Sequence, residues 1–243
     1  MVSDEIQRDY APTGKLRVAL NHGNRVLVGR ASDGAPAGIS VDLARALAEV
    51  LRLEPVFVEY DRAGDVSASA QADQWDVCFL AVDPKRAEVI AFTEPYVRIE
   101  GSYLVPAGSA AQTSEDVISR KLRVGTVEGS AYTLHLARQP GADCLVYKPS
   151  FQEALAAFDA GEIDAMAGIR QAMEGEAGLR PGARVLDPPF MEIRQAMGMP
   201  AGRPRAAAHL QRFVADMARS GGVGDILERH GVARECAILP GAS

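Results

Sequence analysis

One guanidinium stands where an α/β sheet would bind an anion. Residues 76–96 read DVCFLAVDPKRAEVIAFTEPY. The apolar run 77–82 has the length and composition of a buried strand. Asp83-Pro84 breaks it, with Asp83 suited to cap a helix and Pro84 to its first turn. Arg86 follows at once, just past the carboxyl end of the strand, which is the edge where open α/β sheets bind ligands. A cation at a helix N-terminus opposes the macrodipole, so a purely structural arginine is a poor choice there. A planar fork reaching for a carboxylate, in contrast, makes paired charge-assisted hydrogen bonds. The competing reading is a solvated charge at a helix start.

A second candidate anion site follows another strand, residues 122–127. There Glu128-Gly129-Ser130-Ala131-Tyr132 opens a helix, whose free N–H groups and dipole favour an anion. Ser130 also reads simply as the N-cap, and both roles can hold together. Two further polar groups stand at strand ends. The strand 16–20 runs into Asn21-His22-Gly23-Asn24, and the strand 55–59 into Tyr60-Asp61-Arg62. His22 is either a ligand contact or a turn residue satisfied by backbone.

The elements that must position these groups are readable from periodicity. A helix over 42–51 carries Val41, Leu43, Ala44, Leu47, Ala48 and Leu51 on one face. Strands at 16–20, 55–59 and 77–82 alternate with that helix and a short one over 63–72, which predicts a parallel, right-handed arrangement. After a strand at 102–105 and a capped helix start at Thr113, the pattern restarts at 122–127. It continues with a strand at 145–147, a helix over 151–160 packing Ala154, Leu155 and Phe158, and a strand over 161–167. Asp164 mirrors Asp76. A strand at 183–187, a return strand at 191–199, an amphipathic helix over 204–219 and a last helix over 223–230 complete the chain. The apolar face of the helix over 204–219 is read as Ala207, Leu210, Phe213, Val214 and Met217. The expected organisation is two lobes of similar design, 1–101 with 196–243 and 102–195, each a mainly parallel sheet flanked by helices. Two crossings allow hinge closure, and a cleft between lobes is the expected ligand site.

Residues 76–96 resemble the signature of the family 3 bacterial extracellular solute-binding proteins, the amino-acid-binding components of ABC importers. That pattern is an Asp-led strand, a turn, T-x-x-R, a hydrophobic pair, then F-S/T-x-P-Y. Here it stands as Asp76, Asp83-Pro84-Lys85-Arg86 and Ile90-Ala91-Phe92-Thr93-Glu94-Pro95-Tyr96, with Asp83 in place of the usual Thr. Gly38-Ile39-Ser40-Val41-Asp42-Leu43-Ala44-Arg45-Ala46-Leu47-Ala48 resembles G-F-x-x-D-L-x-x-x-x-A. The resemblance runs from Lys15 onward. It implies the two-lobed type II periplasmic-binding-protein fold and a small carboxylate-bearing ligand, an amino acid or related organic acid. The implied ligand set is Arg86 and Ala81, then Gly129, Ser130 and Ala131, then Asn21, His22, Asn24, Tyr60 and Arg170. Ala131 lacks the hydroxyl common at its place in the family. Residues 161–167 resemble the family's G-x-x-D-A-x-x strand, after which amino-acid binders carry an acid for the ligand ammonium. Gly168-Ile169-Arg170-Gln171 offers none. A buried ammonium needs a partner, and Arg170 would repel it, so the expectation shifts towards a carboxylate or a modified amino acid. Alternatively Arg170 points to solvent, and Glu192, Asp61 or Glu128 replaces the missing acid.

Composition sets the outer bounds. The chain has 243 residues, 47% hydrophobic and 24% charged, with net charge −6; no basic tract supports a nucleic-acid partner, and no apolar run is long enough to span a membrane. Cys78, Cys144 and Cys236 show no metal or redox spacing, and no metal or cofactor is expected. A monomer serving an ABC-transporter permease is the expected assembly. The first residues, MVSDEIQRDYAPTG, do not form a secretory signal. Location is therefore periplasmic by resemblance, or cytoplasmic if Met1 is the natural start. Two other functions stay open: a dehydratase-like enzyme on the same fold acting on a prephenate-like acid, with Glu192 or His22 as general acid, and a cytoplasmic ligand sensor. No catalytic residue is assigned.

Overall fold

A computed structural model describes residues 2–241. The chain forms two compact units, Met1–Arg98 with Arg194–Ser243, and Ile99–Ile193.

Unit 1 begins with α1 (Asp4–Tyr10), β1 (Leu16–Asn21), the short pair β2 (Gly29–Arg30) and β3 (Pro36–Ala37), and α2 (Ile39–Leu51). It continues with β4 (Pro55–Tyr60), α3 (Ala63–Ala68), β5 (Val77–Ala81), α4 (Pro84–Ala87) and β6 (Ile90–Phe92). The strand β7 (Val97–Val105) carries the chain out. Unit 2 holds α5 (Ser114–Ser119), β8 (Val124–Val127), α6 (Ala131–Leu136), β9 (Leu145–Lys148), α7 (Phe151–Asp159), β10 (Ala165–Ile169), α8 (Arg170–Gly178) and β11 (Arg184–Val185). The strand β12 (Met191–Pro200) returns to unit 1, which ends in α9 (Pro204–Arg219) and α10 (Gly222–Arg229).

Each unit repeats one plan. In unit 1, β1 lies between β4 and β5, parallel to both, and β12 runs antiparallel to β5. In unit 2, β8 lies between β9 and β10, parallel to both, and β7 runs antiparallel to β10. The stripe expected on α2 is buried, joined by Ile39 and Ser40. On α9 the buried face is Ala206, Leu210, Phe213, Val214, Ala215 and Ala218; Ala207 and Met217 are only partly buried. Two helices have no expectation in the sequence. Helix α1 shows only Ile6 and Tyr10 at apolar spacing, and α8 buries only Met173.

Most of the recognised motif residues build this scaffold. Gly38 has φ of 115°, and a Cβ there would come within 2.7 Å of the Leu27 carbonyl, so only glycine fits. Asp42 accepts from Arg229 and His230 at the end of α10, at 3.1 and 3.0 Å. Burial alone would raise the Asp42 carboxyl, but these bonds outweigh it and hold the group below its ordinary range. The N–H groups of Thr93 and Tyr96 donate to the Met197 and Gln195 carbonyls, both at 2.9 Å, lacing the segment to β12. The Tyr96 ring meets Phe79 edge to face.

The two strand-leading aspartates form matching clamps. Asp76 is 0% exposed. It accepts from the Arg17 backbone N–H (3.0 Å), Arg17 Nε and Nη2 (both 2.9 Å) and Arg203 Nη1 (2.9 Å). Asp164 accepts from the Arg123 N–H (2.9 Å), Nε (2.9 Å) and Nη2 (2.8 Å), but its side chain is 38% exposed and that of Arg123 52%. Breaking a buried ion pair strands charge in low dielectric and costs about 3–5 kcal/mol, whereas an exposed pair is worth about 0–1 kcal/mol. Asp76→Ala is therefore expected to lower stability by about 3–5 kcal/mol in urea unfolding, and Asp164→Ala by about 1 kcal/mol. Equal losses would refute this ordering.

Candidate functional site

In unit 1 the carboxyl ends of β1, β4 and β5 gather the predicted residues. Asp83 caps α4, its Oδ1 accepting from the Lys85 N–H at 2.9 Å, with Pro84 in the first turn. This short turn places Arg86 back against the strand end, where its Nη1 donates to the Ala81 carbonyl at 3.0 Å. Arg86 is 3% exposed. Burial weakens the hold on its proton relative to an ordinary arginine, while Asp83 and the Cys78 sulfur act the other way. A guanidinium keeps its charge in proteins, so unit 1 holds a desolvated cation at this edge.

The loop after β1 uses most of its polar atoms internally. Asn21 Oδ1 accepts from the Gly23 N–H at 3.0 Å. His22 Nε2 meets Glu59 at 2.7 Å, and Arg30 reaches the same carboxylate at 2.6 Å. Asn24 is buried, and its Oδ1 has no hydrogen-bond partner among the described residues. At the end of β4, the Tyr60 hydroxyl lies 2.9 Å from Gln74 Oε1 and 3.0 Å from Ser69 Oγ; Ser69 accepts from the Trp75 indole and gives its own proton to the Val66 carbonyl at 3.0 Å. Tyr60 is thus held by a network whose other members, Gln74, Ser69 and Trp75, carried no signal in the sequence.

In unit 2, Gly129 takes φ of 69° and turns the chain from β8 into α6. Ser130 is the N-cap, its Oγ accepting from the Thr133 N–H at 3.2 Å. The hub is Thr133, which the sequence reading missed; its position three residues after a serine cap is the signal that would have found it. Thr133 Oγ1 lies 2.6 Å from the Val127 carbonyl, 2.7 Å from Ser130 Oγ and against Thr126 Oγ1. A hydroxyl has one proton, and a carbonyl can only accept. The Thr133 proton goes to Val127, so Ser130 and Thr126 both donate to Thr133. The Ser130 proton is therefore already spent, and donors for an anion are left to the first-turn backbone N–H groups around Ala131. Burial pushes the neighbouring Tyr132 phenol up to about 12, with Ser130 opposing.

Arg170, read in the sequence either as facing a ligand anion or as pointing to solvent, donates its Nε to Glu174 at 2.8 Å, and its Nη1 to Asp187 at 2.7 Å and Glu100 at 3.4 Å. Three carboxylates more than match one guanidinium, so the surroundings of Arg170 do not draw an anion. The Asp187 carboxyl is held below its ordinary range by this contact.

Comparison with known proteins agrees with this architecture. A curated relative, the amino-acid-binding protein AabA of Dichelobacter nodosus, is 23% identical over 137 residues; the match spans 56% of this chain and about half, 54%, of that protein. A crystal structure of a mutant ArgBP from T. maritima superposes with a TM-score of 0.79 at 17% identity, covering 93% of this chain and 99% of that one. The amino acid ABC transporter substrate-binding protein AbpA of Streptococcus pneumoniae, bound to L-arginine, superposes with a TM-score of 0.76 at 22% identity, covering 91% and 96%. The fold is thus the two-lobed α/β fold of periplasmic binding proteins. With the model of the bacterial extracellular solute-binding proteins, family 3, matching residues 16–233, the chain belongs to that family.

Proposed function

We propose that the protein binds a small carboxylate-bearing solute, an amino acid or a related organic acid, and delivers it to an ABC-transporter permease. The observation that carries this reading is Arg86, a cation 3% exposed at the carboxyl end of β5. A desolvated guanidinium gains from a carboxylate far more than an exposed one does. The name of AabA and the transporter assignment of AbpA support the amino-acid class and the delivery step. The family's description supports a binding protein that acts outside the cytoplasmic membrane rather than an enzyme, and we take the carrier to be a monomer.

Within unit 2, the Ser130 N–H is held by the Val127 carbonyl at 3.2 Å and its hydroxyl is turned towards Thr133, so the Ala131 N–H is the donor that this turn offers an anion. The ammonium of an amino-acid ligand has no carboxylate at residues 168–171. Asn24 Oδ1 is the buried acceptor that stands in for it, and Asn21, His22 and Tyr60 shape the surrounding wall.

A thermal-shift series of amino acids, small mono- and dicarboxylates and aromatic acids tests the reading, because a ligand of the native state raises Tm by mass action. A rise confined to compounds without a carboxylate would end it. Arg86→Met is expected to lower affinity for the best carboxylate by about one to two decades. Ser130→Ala is expected to change it by less than about threefold, since the lost hydroxyl donates elsewhere. Asn24→Leu is expected to weaken amine-bearing ligands by about tenfold relative to their amine-free analogues in calorimetric titration. Equal loss for both members of a pair would remove Asn24 from the ammonium role.

A further inference from the structure

Asp83 stands where the family pattern usually carries a threonine, and it brings a charge that a threonine lacks. It lies just past the end of β5, in the same short turn as Arg86. Both side chains are withdrawn from water, Asp83 and Arg86 each being 3% exposed. Unit 1 therefore carries an anion and a cation together at one strand end. Asp83 Oδ1 accepts from the Lys85 N–H at 2.9 Å and so caps α4. Arg86 Nη1 turns to the Ala81 carbonyl at 3.0 Å, and its guanidinium feels the Asp83 charge.

A cap alone does not call for that charge, because Asn and Ser cap a helix about as well as Asp. Burying a carboxylate costs free energy unless donors and cations answer it. Arg86 answers it in part, and an ammonium from a ligand would add a second cation. An α-amino acid holds its carboxylate and its ammonium on one carbon, so its two charges lie side by side. Arg86 and Asp83 match that arrangement charge for charge. An amine-free acid would gain from Arg86 but be repelled by Asp83. Residues 168–171 hold no acid for the ammonium. Asn24 Oδ1 can accept from the ammonium but is neutral, whereas Asp83 supplies the opposite charge.

We propose that Asp83 determines specificity at this site: its carboxylate pairs with the ligand ammonium beside Arg86 and selects zwitterionic amino acids over amine-free acids. The proposal rests on the carboxylate-binding reading above. Calorimetric titration of the whole chain with matched pairs tests it: L-alanine and propionate, L-glutamine and 4-carbamoylbutanoate, L-arginine and 5-guanidinopentanoate. Asp83→Asn keeps the cap and the volume and removes the charge; Asp83→Thr installs the usual family residue. Thermal unfolding without ligand checks that both variants fold. In the natural protein the amino acid of at least one pair is expected to bind more tightly than its amine-free partner. Asp83→Asn is expected to weaken that amino acid by about tenfold and to strengthen the amine-free partner by about threefold. Asp83→Thr is expected to shift both in the same directions. Equal losses for both members would reduce Asp83 to a cap and overturn the proposal, as would an unchanged amino-acid affinity in both variants. Binding of the amine-free members alone would overturn it and leave the carboxylate reading standing. Binding of no member would overturn it too, since the pairs span small, polar and cationic side chains; the thermal-shift series then decides the carboxylate reading separately.

Discussion

A carboxylate with no exposed surface must be answered by donors, and the Asp76 clamp organises unit 1 around that requirement. Its four hydrogen bonds come from Arg17 in β1 and Arg203 ahead of α9. Arg203 also holds the carbonyl of Tyr10, so the first helix, the central strand and the start of α9 meet at one buried charge. The cost of burying that charge is offset only while every donor is in place. Unit 2 repeats the device with Asp164 and Arg123, in the same relation to its own central strand, at greater exposure and hence with less at stake.

Both clamps sit at the amino ends of their strands, which leaves the carboxyl ends for other work. In unit 1 that edge carries Arg86. The short α4 turn, capped by Asp83, folds its guanidinium back onto the strand end instead of letting it extend into water. Scaffold and candidate site therefore occupy opposite edges of the same strands. The recognised motifs divide accordingly: Gly38, Asp42, Asp76, Thr93 and Tyr96 hold the fold, and Arg86 is the member whose position suits a ligand.

Arg86 and Arg170 show how one residue type in comparable places takes opposite meanings. Each follows the third parallel strand of its unit. Arg86 contacts a carbonyl and feels Asp83 in a buried setting, the setting on which we base its proposed role towards a carboxylate. Arg170 meets Glu100, Glu174 and Asp187, and a further anion there would join an excess of negative charge. Of those three carboxylates, only Glu174 is a sequence neighbour one helical turn away; Glu100 and Asp187 arrive from distant strands and loops.

The chain by itself determined the order of most strands and helices, the α/β class and the repeated plan of the two units. Apolar period, helix caps and strand-breaking residues are local properties, and they act over a few residues at a time. The Asp83–Pro84 turn and the Ser130 cap were legible for that reason, and so was the placement of Arg86 at a strand end. Helices α1 and α8 were not legible, because α1 rests on long-range bonds from Gln7 and Tyr10, and α8 on a single buried methionine. Only the tertiary structure decided that Arg170 is neutralised, that the Tyr60 hydroxyl is engaged, that Thr133 takes the Ser130 proton, and that Asn24 keeps a buried acceptor. Each of those outcomes depends on which donors and acceptors lie within about 3 Å in space, a relation that spacing along the sequence does not encode.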